Sequence, residues 1–128
     1  MIMKWQEGRL GTGYKKFKFF SSEKFKCDGY LIKYLVGSCI PKHFDPSPAG
    51  LVHKRMNLIF GYDLVGGDFG IVENPQYPST IRRFEFVLFD HHIEILYVLF
   101  YPSESEHFVD RVESGLRYVL SFGWLTKK

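Results

Sequence analysis

Cysteine is scarce in this sequence, apolar runs are short, and the charges nearly balance; each shortage excludes a class of protein. Two cysteines in 128 residues, Cys27 and Cys39, are too few for a secreted disulfide scaffold and lack the spacing of a zinc knuckle, so free thiols are expected. No apolar run, the stretch 93–100 included, approaches the roughly 20 residues needed to cross a bilayer as a helix. Residues 1–10 mix Lys4, Glu7 and Arg9 among apolar side chains and offer no hydrophobic region of signal-peptide length. A cytoplasmic protein with no membrane partner is therefore expected. A formal charge of +3 is no broad polybasic field, and no repeat, low-complexity tract or long linker divides the chain. One domain, 1–128, is the expectation.

Aromatic residues are abundant. Thirteen Phe and eight Tyr, with many β-branched residues, favour pleated, half-buried surfaces over helix bundles. Apolar or alternating runs at 30–36, 42–45, 54–62, 69–72, 81–89 and 93–100 are separated by Gly, Pro and Asp clusters, which is strand punctuation. Asp90-His91-His92 suits a hairpin turn between two apolar strands. Near the start, Lys15, Lys16, Lys18, Lys24 and Lys26 alternate with Tyr14, Phe17, Phe19, Phe20 and Phe25. Such a pattern can grip nucleic acid, but an amphipathic strand with a solvated lysine face is the preferred reading.

One segment obeys two rules at once. Ser103 with Glu106 reads as a capping box, and Phe108, Val112, Leu116, Val119 and Leu120 recur at helical spacing over 104–120. Gly115 interrupts that run, while Tyr118, Val119, Phe122 and Trp124 are strand formers.

The chemistry concentrates in His43-Phe44-Asp45. Residues two apart in an extended segment leave the same face, so the imidazole and the carboxylate can share a metal. Two histidines and one carboxylate on one face of an octahedral ion leave positions open for other ligands, and a third protein ligand is then needed from elsewhere. An HxD pair alone has a dull reading: a loop histidine beside an aspartate that caps a turn before Pro46.

The pair has ordered company. Tyr34-Leu-Val-Gly37 leads into His43-Phe-Asp45; Arg55-Met-Asn57-Leu-Ile-Phe60 follows, then Gly66-Gly67-Asp68-Phe69. Further on come His107 with Val109 and Val112, Gly115-Leu116-Arg117, and Ser121-Phe-Gly-Trp124. From about residue 28 to residue 125 this series resembles the prolyl-hydroxylase-like branch of the Fe(II)- and 2-oxoglutarate-dependent dioxygenases. The chain is shorter than is usual there, lacks much of the family's N-terminal helical support, and carries Asp68 where Glu is common.

The resemblance implies a mostly β fold with little helix, a double-stranded β-helix (jelly roll) of about eight strands, and the segment 104–120 is read as strand chiefly on its account. It implies His43, Asp45 and His107 as iron ligands, and Arg117 as the partner of the distal carboxylate of 2-oxoglutarate. Ser121 and Tyr34 would lie near that carboxylate, with Asn57 as a polar neighbour. The resemblance also implies dioxygen as the second co-substrate and hydroxylation of a C–H bond as the reaction. A prolyl or other protein side chain is the expected substrate, with Phe44, Tyr62, Tyr77 and Phe69 as an apolar rim for a peptide. Nucleobase or nucleic-acid oxidation is the alternative within the superfamily, and a jelly-roll binding or inhibitor module without turnover is the alternative outside it. A zinc site from Cys27, Cys39 and His43 has unusual spacing, and His53, His91 and His92 are read as surface or turn residues.

Overall fold

The computed structural model describes Gln6–Glu7 and residues 13–127. They form ten antiparallel strands joined by turns: β1 Gln6–Glu7, β2 Tyr14–Ser22, β3 Cys27–Tyr34, β4 Ile40–His43, β5 Leu51–Gly66, β6 Phe69–Ile71, β7 Thr80–Leu88, β8 His91–Phe100, β9 His107–Val109 and β10 Val112–Lys127. Seven make one sheet in the order β1-β2-β3-β10-β5-β8-β7, and three make a second in the order β4-β9-β6. Eight strands, β3 to β10, answer the expected number, and the count rises to ten with β1, a two-residue pairing too short to leave a pattern in the sequence, and β2, the lysine- and aromatic-rich stretch read as an amphipathic strand. No helix among the described residues is long and apolar enough to cross a membrane.

The segment 104–120, which reads equally as a helix, is divided between β9 of the small sheet and the first part of β10, which at 16 residues equals β5 as the longest strand. β10 is flanked on both sides, by β3 and by β5, so its alternating burial serves a central strand and the 3.6-residue pattern is outvoted by tertiary pairing. Gly115 has φ +89°, and a Cβ there would lie 2.3 Å from the Asp63 carbonyl oxygen. The register shift between Ser114 and Leu116 is thus a bulge only glycine fits.

The two sheets pack face to face. Ile59, Leu96, Val98, Phe100 and Val119 of the large sheet and Val109 of the small one belong to a single buried cluster, with Ile40, Phe69 and Ile71 packed against it. On the large sheet the odd-numbered residues of β5 up to Gly61 and of β10 beyond the Gly115 bulge, and the even-numbered residues of β3, face this interior, because side chains alternate along a strand. Past the irregularities at Asp63 and Gly115 the parity changes, so Leu64 and Val112 also pack on the cluster. The hairpin turn is Phe89-Asp90, with φ of 49° and 64°, one residue earlier than the sequence suggests; His91 already opens β8. Cys27 and Cys39 are free and half-buried, as expected.

Candidate metal centre and cavity

Antiparallel pairing of β4 and β9 sets His43 directly opposite His107, which brings together residues 64 apart in sequence. Their ring centroids are 4.3 Å apart. Asp45 follows two residues after His43, held extended before Pro46 and fixed by a hydrogen bond from its backbone N–H to the Pro102 carbonyl at 2.9 Å. One ligand atom from each of His43, Asp45 and His107 lies within 4.8 Å of the other two. Phe100 packs edge-on against the His107 ring at 5.0 Å, and His107 is buried.

The tautomers follow from the backbone. His43 Nδ1 lies 2.8 Å from the Pro41 carbonyl oxygen, and His107 Nδ1 lies 3.0 Å from that of Ser105. A carbonyl oxygen only accepts, so each Nδ1 carries the proton and each Nε2 is left with a lone pair. Both Nε2 atoms face Asp45, at 3.2 Å from Oδ1 for His43 and 3.6 Å from Oδ2 for His107. Lone pairs and a carboxylate so close repel unless a positive charge lies among them: a proton on one ring or a metal ion. Backbone carbonyls that anchor the far nitrogens of two imidazoles are the usual outer support of a metal site. Burial pushes the Asp45 carboxyl up, but the hydrogen bond and charge of His107 in its protonated form, with the charges of protonated His43 and His53, outweigh it and hold the group below its ordinary value.

The triad opens onto a cavity of about 390 Å³ between the sheets. Inner-face residues of the large sheet line it, Arg117 among them. That guanidinium is almost fully buried; its carbon sits 4.2 Å above the Tyr34 ring, and its Nε donates to the Gly67 carbonyl at 2.7 Å. Its Nη1 is buried without a partner. Gly67 leaves this room, since a Cβ there would come within 3.1 Å of Arg117 Cδ. Burial lowers the Arg117 pKa, countered by Tyr34 first and then by Asp68 and Glu94, while burial raises that of Tyr34, countered by Arg117. Arginine nevertheless stays charged in proteins.

Ser121 and Asn57 line the same cavity but are committed to a different arginine. Ser121 Oγ accepts from Arg55 Nη1 at 2.7 Å and donates to Asn57 Oδ1 at 2.5 Å. Arg55 Nη2 continues to Asp28 Oδ1 at 2.5 Å. The register explains the reach: Gly123 of β10 stands between Arg55 and Asp28, and a Cβ there would lie 2.2 Å from Arg55 Nη2.

Sequence reasoning missed this second cationic group. In the sequence Arg55 stands out only as part of a strand motif, and His53 reads as a surface or turn residue. His53 instead sits in β5 on the cavity wall. Its Nε2 accepts from Arg55 Nε at 3.3 Å, which leaves the proton on Nδ1, buried and unpaired. Burial, and then Arg55, lower its pKa. The period-2 alternation His53, Arg55, Asn57 on one strand was the available signal. Lys16 departs from the expected solvated lysine face: it lines the cavity, with Nζ 3.7 Å from the Tyr30 centroid, and burial followed by Arg55 lowers its pKa. Lys18, Lys24 and Lys26 are exposed, as that reading expects.

Of the four aromatics expected at a rim, Phe69 lines the cavity and Phe44, Tyr62 and Tyr77 do not. Tyr62 falls on the outer face of β5, where its ring stacks on His91 at 4.7 Å, and Tyr77 packs against Tyr101. His91 and His92 are exposed. Neither Cys27 nor Cys39 belongs to the group of His43, Asp45 and His107 that could hold a metal ion.

Comparison with known proteins returns no matching family model, no matching curated protein and no matching solved structure.

Proposed function

We propose that this chain is a jelly-roll oxygenase that uses Fe(II) and 2-oxoglutarate to hydroxylate a C–H bond, with a prolyl or other protein side chain as the substrate class. The observation that carries the reading is the pair of Nε2 lone pairs aimed at Asp45 in the cavity where Arg117 keeps an unpaired buried Nη1. Two imidazoles and one carboxylate suit a non-haem ferrous ion and leave coordination positions open.

His43, Asp45 and His107 would hold the iron. Arg117 would take the distal carboxylate of 2-oxoglutarate through its free guanidinium edge, with Tyr34 beneath it as a fixed platform; a buried guanidinium attracts an anion strongly where water is excluded. His53 Nδ1 is a second unpaired donor in the cavity, so the fit is to an oxygen-rich guest. Bound iron and 2-oxoglutarate would supply the activation of dioxygen. The chain orients the guests and keeps water from the reacting atoms, the usual share of the protein in cofactor chemistry.

Anaerobic titration with Fe(II), followed by 2-oxoglutarate, tests the proposal. Stoichiometric iron binding and a weak visible charge-transfer band on addition of 2-oxoglutarate are expected, and both should be absent from Asp45→Ala. A wild-type protein that binds neither leaves a β module without turnover. Succinate release that depends on a peptide supports the stated substrate class; release that depends on single-stranded nucleic acid moves it to the alternative.

A further inference from the structure

β7 is exposed at every one of its nine positions, although it is a sheet strand rich in apolar residues. It pairs on one side with β8 and ends the seven-stranded sheet on the other. Alternation places Thr80, Arg82, Phe84, Phe86 and Leu88 on one face and Ile81, Arg83, Glu85 and Val87 on the other. Neither face is covered by the described residues: Phe84 is 59% exposed, Val87 70% and Phe89, at the turn, 86%. An apolar edge strand with free backbone donors and acceptors is a template for another strand.

We propose that β7 is a homodimer interface, in which β7 of one protomer pairs antiparallel with β7 of a second copy about a two-fold axis through Phe84, joining two seven-stranded sheets into one. Charge complementarity selects the partner and the register. A two-fold axis perpendicular to a continuous sheet passes through a residue paired with its own image, so Arg83, Phe84 and Glu85 are the central choices. An axis at Arg83 sets Arg83 opposite Arg83, and an axis at Glu85 sets Glu85 opposite Glu85; like charges directly opposite are destabilising. The axis at Phe84 sets Arg83 opposite Glu85 and Glu85 opposite Arg83. On that same face Ile81 meets Val87, and on the other face Phe84 meets Phe84 while Arg82 lies over Phe86.

Phe84 is also the midpoint of Thr80–Leu88, so this register pairs the whole strand, Thr80 with Leu88 included. Within one protomer Glu85 already lies opposite Glu94, and Arg83 bridges them, 2.8 Å from Glu94 and 3.5 Å from Glu85. The second copy's Arg83 would bring Glu85 a permanent positive charge beside His92, whose Nε2 lies 3.9 Å from the Glu85 carboxylate. Such an isologous contact closes on itself and stops at two copies. β7 contributes no residue to the cavity, so this inference stands independently of the proposed chemistry.

Light scattering on the eluting full chain should give twice the 15.0 kDa protomer mass. Arg83→Glu should weaken the dimer about tenfold or more, because two opposite-charge pairs become like-charge pairs, and Arg83→Glu with Glu85→Arg should restore it. Phe84→Cys, on a background with Cys27 and Cys39 changed to Ser, should form an interprotomer disulfide under mild oxidation, whereas Glu85→Cys on that background should not. A monomer at high micromolar concentration overturns the proposal, as does a dimer indifferent to Arg83→Glu or cross-linked through position 85 rather than 84.

Discussion

The large sheet is built oppositely at its middle and at its edge. Across β3, β10 and β5 the interior face carries Arg117, Arg55, Ser121 and Tyr34, all buried, whereas β7 at the edge exposes Ile81, Phe84, Phe86, Val87 and Leu88. Stability alone favours the reverse, since burying charge costs free energy and exposing apolar area forfeits it. Both inversions are places where the fold by itself is unsatisfied: unpaired donors on Arg117 and His53 in one, an uncovered apolar strand in the other. The guests proposed for the interior are an anion and a metal, and the guest proposed for the edge is another strand.

The sharpest way to break that contrast is at the triad. Asp45→Ala should cut Fe(II) affinity by more than about 100-fold, beyond what the loss of an outer-shell partner costs, and abolish 2-oxoglutarate turnover; isothermal titration and succinate release measure the two. Unchanged affinity would leave His43 and Asp45 as an ordinary loop pair. Next in size is Gly115→Ala. The bulge that aims β10 needs φ +89° and tolerates no Cβ against the Asp63 carbonyl, so a loss of about 2 kcal/mol or more is expected in urea unfolding.

Arg117→Met separates stability from function. Replacing a buried charge by an apolar side chain of similar length should leave the fold as stable or raise its stability by about 1 kcal/mol, seen as a higher thermal midpoint, while raising the 2-oxoglutarate concentration needed for turnover. A large fall in stability would mean that the arginine holds the sheets together and was never an anchor. The smallest effect is expected at the hairpin tip. Phe89 and Asp90 both have positive φ, a conformation Asn-Gly adopts with less strain, so Phe89→Asn with Asp90→Gly should stabilise the protomer by about 0.5–1 kcal/mol in the same unfolding assay.

Much of the fold could be read directly from residue order. Alternation and Gly/Pro punctuation located the strands at 54–62, 69–72, 81–89 and 93–100 to within a few residues for most of their ends, because local backbone preference and one-sided burial act over neighbouring positions. β5 runs longer at both ends, Leu51–Gly66, since long pairings with β10 and β8 extend it beyond its apolar core. His43 and Asp45 were legible as a pair for the same local reason: two residues apart on an extended chain is a geometric statement.

Other features were decided by tertiary pairing. The segment 104–120 satisfies a helical period and a strand period at once, and only pairing makes strands of it: residues 107–109 lie between β4 and β6, and the residues from 112 on enter β10, between β3 and β5. His107 comes opposite His43 through the register of two short strands, and Arg55 reaches Asp28 because Gly123 happens to lie between them. Residue order determined which side chains share a face of one strand, a matter of backbone period. Which strands lie side by side, and so which imidazoles and cations meet, depends on pairing across long loops, where no local rule acts.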